Sequence, residues 1–328
     1  MRIIVDAMSG DNAPGEIVRG AQMAAEQCGV DILLVGDKPR IERIMAEGKL
    51  PTDRITIEHC DRIITMEDEP LSIIKDNRTS SMGVCFTLLH AGEGDALVCA
   101  GNSGALLAGA TLIIKRITNI KRAAIGAILP FQRTALLIDA GANVDETPDY
   151  LQQYAVMGST YMKYCYDIAA PEIGLANNGT EESKGDELHS AAYTLLKANP
   201  HINFIGNIEG RGIPIGICDV VVSDGFTGNM ILKVCEGFGV MLSSAMKQLF
   251  MKNILTQLSA ATMKTGIEAL KHSYDSTEHG GAPLLGISRP VIKAHGSSNA
   301  KALMNAIRQA VKYVDSGIIG KIEHLTGQ

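Results

Sequence analysis

Ala96-Leu-Val-Cys-Ala-Gly-Asn-Ser-Gly-Ala-Leu-Leu-Ala-Gly-Ala-Thr-Leu-Ile-Ile114 runs for 19 residues without a charge, long enough for a hydropathy window to register a membrane span. Gly101-Asn-Ser-Gly104 interrupts the run, so it reads instead as a buried strand, a turn and a helix of a packed α/β core. Turns of the same chemistry recur at Asp139-Ala-Gly-Ala-Asn143, Ala176-Asn-Asn-Gly-Thr180 continuing to Lys184-Gly185, Ser223-Asp-Gly-Phe-Thr-Gly-Asn229 and Ala294-His-Gly-Ser-Ser-Asn299. Most of them follow an apolar run. A turn that leaves a strand and feeds a helix aims unpaired backbone N–H groups and the positive helix end at one spot, which favours an anion. Several such turns on one sheet edge predict a phosphate or carboxylate site.

Outward from that stretch, short apolar runs alternate with helical periods. Strands are expected at 2–5, 32–35, 55–57, 96–99, 124–128, 135–138, 173–175, 204–208 and 220–222, and helices at 17–28, 40–46, 81–91, 106–116, 150–164 and 188–197. This alternation predicts an α/β fold with a mostly parallel sheet covered by helices on both faces, with ligands at the strands' carboxyl ends. No low-complexity linker divides the chain, so residues 1–328 read as a single domain of two intimately joined lobes. The composition shifts once, over 235–274, where Leu242, Met246, Leu249, Ile254, Leu258 and Ala261 recur at helical spacing among lysines. That segment reads as a helical hairpin leaving the body.

Composition removes several functions. A net charge of −6 and 4% aromatics without tryptophan argue against nucleic acid as a partner. Seven scattered cysteines without a CxxC suit free thiols of a reducing compartment. Met1-Arg-Ile-Ile-Val-Asp6 begins as a strand and leaves no room for a signal peptide, so a cytoplasmic location is expected. No strand is followed by G-x-G-x-x-G, no G-x-S-x-G occurs, and no H-E-x-x-H or Cys/His cluster suggests a metal. Gly179-Thr-Glu-Glu-Ser-Lys-Gly185 is P-loop-like but places its lysine before the second glycine. The expectation is an anion-binding enzyme without a cofactor, metal or covalent nucleophile.

Six segments carry a resemblance. Asp6-Ala-Met-Ser-Gly-Asp11, Gly94-Asp-Ala-Leu-Val-Cys-Ala-Gly-Asn-Ser-Gly-Ala105, Asn178-Gly-Thr-Glu-Glu-Ser-Lys-Gly185, Gly206-Asn-Ile-Glu-Gly210, Asp224-Gly-Phe-Thr-Gly-Asn229 and Gly280-Gly-Ala-Pro-Leu-Leu-Gly286 occur in order along nearly the whole chain. They resemble the PlsX family, the acyl-ACP:phosphate acyltransferases of bacterial phospholipid synthesis. Ser9 stands where that family usually has glycine. The resemblance implies a three-layer α/β/α fold similar to isopropylmalate dehydrogenases, and a homodimer. It also implies that acyl carrier protein thioester and inorganic phosphate react to give acyl phosphate and free carrier protein. Such a reaction asks mainly for alignment and oxyanion stabilisation, because phosphate is already an anion and a thiolate leaves readily.

Within that reaction Lys184 is the first candidate cation. If a helix starts nearby, a lysine in its first turn is awkward without an anion; the alternative is a solvated lysine paired with Glu181 and Glu182. Asn229 reads either as a donor to the oxyanion or as a turn or N-cap residue. Gly225 and Gly228 would permit close approach there. Asn102, Ser103 and Asn143 share the ambiguity, and Gly101, Gly104, Gly141 and Asn178 complete the phosphate-binding candidates. Asp6 and Asp224 would orient donors or take a proton, turn capping being the alternative. His295 reads equally as an acid or donor to phosphate and as a packed histidine.

Lys115-Arg116 and Lys121-Arg122 are the candidate docking patch for an acidic carrier protein, or else a solvated helix end. Met246, Phe250, Met251, Ile254 and Leu255 put an apolar cluster at the hairpin tip, for core or dimer packing or for a membrane interface. In the resembling family the hairpin serves dimerisation and its tip suits peripheral membrane contact, where acyl phosphate would pass to a membrane-bound acyltransferase downstream. Two other classes stay open: a metal-dependent dehydrogenase of the related fold, and a non-catalytic carrier-protein-binding scaffold.

Overall fold

The computed structural model describes residues 1–253, 263, 266 and 280–327. Twelve strands among these residues form two sheets. The first has seven strands in the order β3 (Ile55–His59), β2 (Asp31–Gly36), β1 (Arg2–Asp6), β4 (Ala96–Cys99), β12 (Val291–Lys293), β11 (Ala282–Leu285) and β5 (Ala124–Ile125). The second has five, in the order β6 (Ala127–Pro130), β7 (Thr134–Ile138), β10 (Val220–Val222), β8 (Glu172–Ala176) and β9 (Asn203–Ile208). Each is mostly parallel. Only β11 runs against its neighbours in the first sheet, and β6 against β7 in the second.

The strands have two buried faces, and their residues alternate between two cores. Ile3, Val5 and Val98 join one apolar cluster, whereas Ile4, Leu97 and Cys99 join the other. On the first lie α1 (Gly15–Cys28), α5 (Pro148–Cys165) and α8 (Ala300–Asp315), and on the second α3 (Ser81–Ala91) and α4 (Ser103–Gly109). Helix, sheet and helix thus make the three layers that a parallel sheet needs to bury both faces. Further helices are α2 (Lys38–Gly48), α6 (Glu187–Ala198), α7 (Gly225–Phe250) and α9 (Ile318–Thr326).

The uncharged stretch from Ala96 to Ile114 is β4, a turn, α4 and a π-helical extension, Ala110–Ile114. No helix among the described residues is long and apolar enough to cross a membrane. The single strand expected over 124–128 breaks at Gly126, whose N–H donates to the Pro283 carbonyl at 2.9 Å. That break sends β5 to one sheet and β6 to the other. β11 escapes periodicity because it is a short antiparallel strand that contains Pro283, an edge-type residue by preference. The helix expected to reach Arg116 stops at Ile114, where Lys115 turns to a positive φ of 77°. Cys235 lies inside α7, which starts ten residues earlier at Gly225. Ile254, Leu255, Leu258 and Ala261 of the expected hairpin lie outside the described residues.

Candidate active site

β1, β4 and β12 run parallel, so Asp6, Cys99 and Lys293 end on one edge of the first sheet. Asp6 is buried; its carboxylate accepts from Ser9 Oγ at 2.5 Å, from the Met8 N–H at 3.1 Å and from Cys99 Sγ at 3.5 Å. Burial pushes its pKa up, and those hydrogen bonds oppose the rise. Gly10 follows at φ +108°, and a β-carbon there would stand 3.1 Å from both Ala100 Cβ and the Gly296 carbonyl. With the Asp11 N–H donating to Gly296 O at 2.8 Å, the turns after β1, β4 and β12 interlock.

Asn102 and Ser103 open α4. The Asn102 side chain accepts from Ala105 N at 3.0 Å as N-cap, and its amide donates to the carbonyls of Thr65, Met66 and Asp68 at 3.2–3.3 Å. Of the two readings open for Asn102, the N-cap is the one these contacts fill, and the side-chain amide is occupied by protein carbonyls. Gly101 fits between Met82 and Ser9, and Gly104 against Pro70. His295 is exposed. Its Nδ1 accepts from the Ser297 N–H at 3.2 Å and meets Ser297 Oγ at 2.8 Å, so the proton of the neutral ring belongs on Nε2.

At the carboxyl edge of the second sheet the centre is Asp139, fully buried at the end of β7. Its carboxylate accepts from the N–H groups of Ile125 (2.9 Å), Ala142 (2.9 Å) and Asn143 (2.8 Å), and from Asn143 Nδ2 (3.1 Å). Asn143 Nδ2 also donates to Ala123 O at 2.8 Å and to the Tyr154 hydroxyl at 3.1 Å, so this side chain braces the turn. α7 lies directly on the turn. A β-carbon at Gly225 would collide with the Asn143 carbonyl, and one at Gly228 with the Asp139 carbonyl. Both glycines therefore let the start of α7 approach the backbone of the 139–143 turn.

Asp224 caps α7 by accepting from Thr227 N at 2.9 Å, and its other oxygen stands 3.8 Å from His189 Nε2 on α6. Asn229, exposed on the first turns of α7, packs over Gly141, which has φ +118°. Lys184 lies outside any helix, because α6 starts at Glu187 with Asp186 as its cap. Glu182 is taken by Lys197 at 2.5 Å, and the exposed Lys184 ammonium has no ion pair among the described residues. Its loop is tied down by Asn177 Nδ2 donating to Lys184 O at 3.1 Å and Asn207 Nδ2 to Glu181 O at 2.8 Å, with Asn178 exposed beside it. The structure thus gathers Lys184, Asp224, Asn229 and Gly141 at one edge, and Asp6, Gly101–Gly104 and His295 at the other.

Two residues escaped the sequence reading. Glu146 accepts from the Tyr154 hydroxyl at 3.0 Å and lies close to Asp139, Asp224 and the Gly225 N–H. Burial, then the charges of Asp139 and Asp224, raise its pKa to about 7, against the hydrogen bonds from Tyr154 and Gly225. Nothing in Val144-Asp-Glu-Thr-Pro148 signals this, because the partners are 7 to 79 positions away. Lys293 ends β12 inside an otherwise apolar run, a signal that was available in Val291-Ile-Lys-Ala294.

A family model described as "Fatty acid synthesis protein" matches residues 1–321. The chain belongs to this family, the PlsX family. It is 47% identical over 324 residues to a phosphate acyltransferase of Thermoanaerobacterium thermosaccharolyticum, covering 98% of this chain and 96% of the relative. It is 43% identical over 327 residues to a phosphate acyltransferase of Alkaliphilus oremlandii, covering 99% and 96%. Among solved structures, a phosphotransacetylase from Streptococcus pyogenes superposes with a TM-score of 0.66 at 15% identity, over 96% of this chain and 94% of that one. A 4-hydroxythreonine-4-phosphate dehydrogenase from Klebsiella pneumoniae gives 0.56 at 12%, over 96% and 99%. These two likenesses establish the α/β fold alone.

For this PlsX-family chain the remaining candidates map as follows. Lys115, Arg116, Lys121 and Arg122 are all exposed. Lys121 pairs with Asp149 at 3.3 Å, and the Arg122 guanidinium lies over the Tyr150 ring at 5.7 Å. They follow the end of α4 and its extension, so a twelve-residue helical run separates them from Asn102, roughly 18 Å at 1.5 Å per residue. Met246 and Phe250 belong to the last turns of α7, and Met251 follows it. The thiols of Cys85 and Cys99 are buried and pushed well above their ordinary pKa, which makes them poor nucleophiles.

Proposed function

We propose that the protein transfers the acyl group of an acyl carrier protein thioester to inorganic phosphate, releasing acyl phosphate and free carrier protein for phospholipid synthesis. Full-length membership of the PlsX family carries this reading. The site agrees chemically: it offers glycine turns, helix N-termini and cations, and its buried thiols are unactivated. A phosphate oxygen attacks the thioester carbonyl, the C–S bond breaks, and the proton of monohydrogen phosphate ends on the departing sulfur. Charges balance without an acyl-enzyme.

Lys184 and Asn229 supply donors to the developing oxyanion, and the Ser103 and Gly104 N–H groups with His295 face the phosphate. Supporting this division, Lys184 has no ion pair among the described residues, while Asp224 caps α7 and Asp139 holds the 139–143 turn. Carrier protein docks on Lys115, Arg116, Lys121 and Arg122 by charge complementarity. The exposed apolar side of α7 serves self-association and membrane contact. The test is thiol release from palmitoyl carrier protein with and without phosphate, the product trapped by hydroxylamine as its hydroxamate. Release that requires phosphate and yields hydroxamate is expected; release without phosphate refutes the reading. Lys184→Ala should lower kcat by about 100-fold, the scale of losing one oxyanion donor. Unchanged kcat would remove Lys184 from the chemistry.

A further inference from the structure

Resting on that acyl-transfer reading, we infer that the Lys293 ammonium is the anchor for the attacking phosphate, set on the sheet face that α4 and α7 cover. The placement follows from register. Lys293 pairs with Cys99 of β4 on one side and Ala282 of β11 on the other, and so shares the sheet face of Cys99. α4 covers that face with Ala105 and Leu106 in the same apolar cluster, and α7 reaches it with Ile231 and Leu232. α7 also brings Lys233 and Glu236 close to the ammonium. Lys293 therefore brings a charge of the first sheet close to α7, the element capped by Asp224.

Its surroundings leave that charge unanswered. Glu236, the nearby carboxylate, is held by Lys233 at 2.8 Å, and no hydrogen bond or ion pair to the Lys293 ammonium occurs among the described residues. Burial and the Lys233 charge press the ammonium toward losing its proton, against the weaker pull of Cys99 and Glu236. Holding a lysine there costs stability that an apolar side chain would not. A bound phosphate dianion removes that cost, and at this partly buried position the attraction is several times that at an exposed lysine. Phosphate on Lys293 also lies at the edge where Ser103, Gly104 and His295 present their donors, while Lys184 stays with the carbonyl oxygen.

Lys293→Met keeps the length of the side chain and removes the charge. The variant should melt above the wild type in phosphate-free buffer, because a buried charge has gone, and should lose the rise in Tm that inorganic phosphate gives the wild type. Its KM for phosphate should rise roughly 10- to 100-fold, the loss of one charge-assisted hydrogen bond, with the KM for acyl carrier protein unchanged. Lys293→Arg, which keeps the charge, should recover part of the phosphate response. A folded Lys293→Met protein with the wild-type phosphate KM and phosphate-induced Tm rise overturns the assignment. Thiol release by the wild type that ignores phosphate overturns the acyl-transfer reading instead, so the two failures are distinct.

Discussion

Glu146 shows how the site's charges are coupled at the scale of single residues. Its folded pKa of about 7 lies above the ordinary 4.5, so the folded protein holds a proton that the unfolded chain gives up between those values. Its contribution therefore falls as pH rises from about 4.5 through about 7, and is most unfavourable above that range. Glu146→Gln should melt like the wild type near pH 4 and increasingly above it toward pH 8, a comparison made by thermal melts across that span. A constant difference would mean that burial, Asp139, Asp224 and Tyr154 do not perturb the carboxyl. The same scale explains why the sequence left some side chains open between two roles. Asn102, Asn143 and Asp224 have the chemistry of ligand donors and acceptors, but helix caps and braced turns need that same chemistry. Sequence shows the residue type; only the fold shows that Asn102 already serves one N–H and three carbonyls.

Among the elements, α7 decides whether the second sheet's edge is assembled. Its first turns sit on the 139–143 turn because Gly225 and Gly228 have no side chain to meet the Asn143 and Asp139 carbonyls. Gly228→Ala cannot be absorbed by a rotamer change, because the obstacle is backbone. A loss of roughly 3 kcal/mol or more is expected, the upper range for overpacking, measured by urea unfolding together with reduced turnover. A loss below about 1 kcal/mol would show that α7 shifts freely on the turn. Regular elements with two buried faces, such as β1, β2 and β4, were legible because continuous apolar runs bounded by glycine turns leave few alternatives. β11 was not, being four residues with a proline, and neither was the start of α7, where Gly225-Phe-Thr-Gly-Asn229 reads as a turn while Asp224 in fact caps a helix there.

Across the whole molecule, the division of the strands into two sheets was invisible in the sequence, because it rests on one residue, Gly126, and on pairings of high sequence separation. The placement of the glycine turns at carboxyl edges was legible, since parallel strands fix it. α7 leaves this body with Val234, Phe238, Met241 and Leu249 exposed at helical spacing, Phe238 at 56% and Val234 at 64%. An apolar stripe of this length in water calls for a partner, and a second copy of the chain is the proposed one. Phe238→Glu with Leu249→Glu should shift the protein toward monomer in sedimentation velocity. Unaltered self-association would assign the stripe elsewhere.

The central claim is that phosphate itself takes the acyl group. A rapid-quench single turnover with radiolabelled palmitoyl carrier protein tests it directly, following label in acyl phosphate and in the protein by intact mass alongside free thiol. Acyl phosphate should appear in step with thiol, only when phosphate is present, with the protein's mass unchanged throughout. Label retained on the protein before phosphate is added would contradict direct attack.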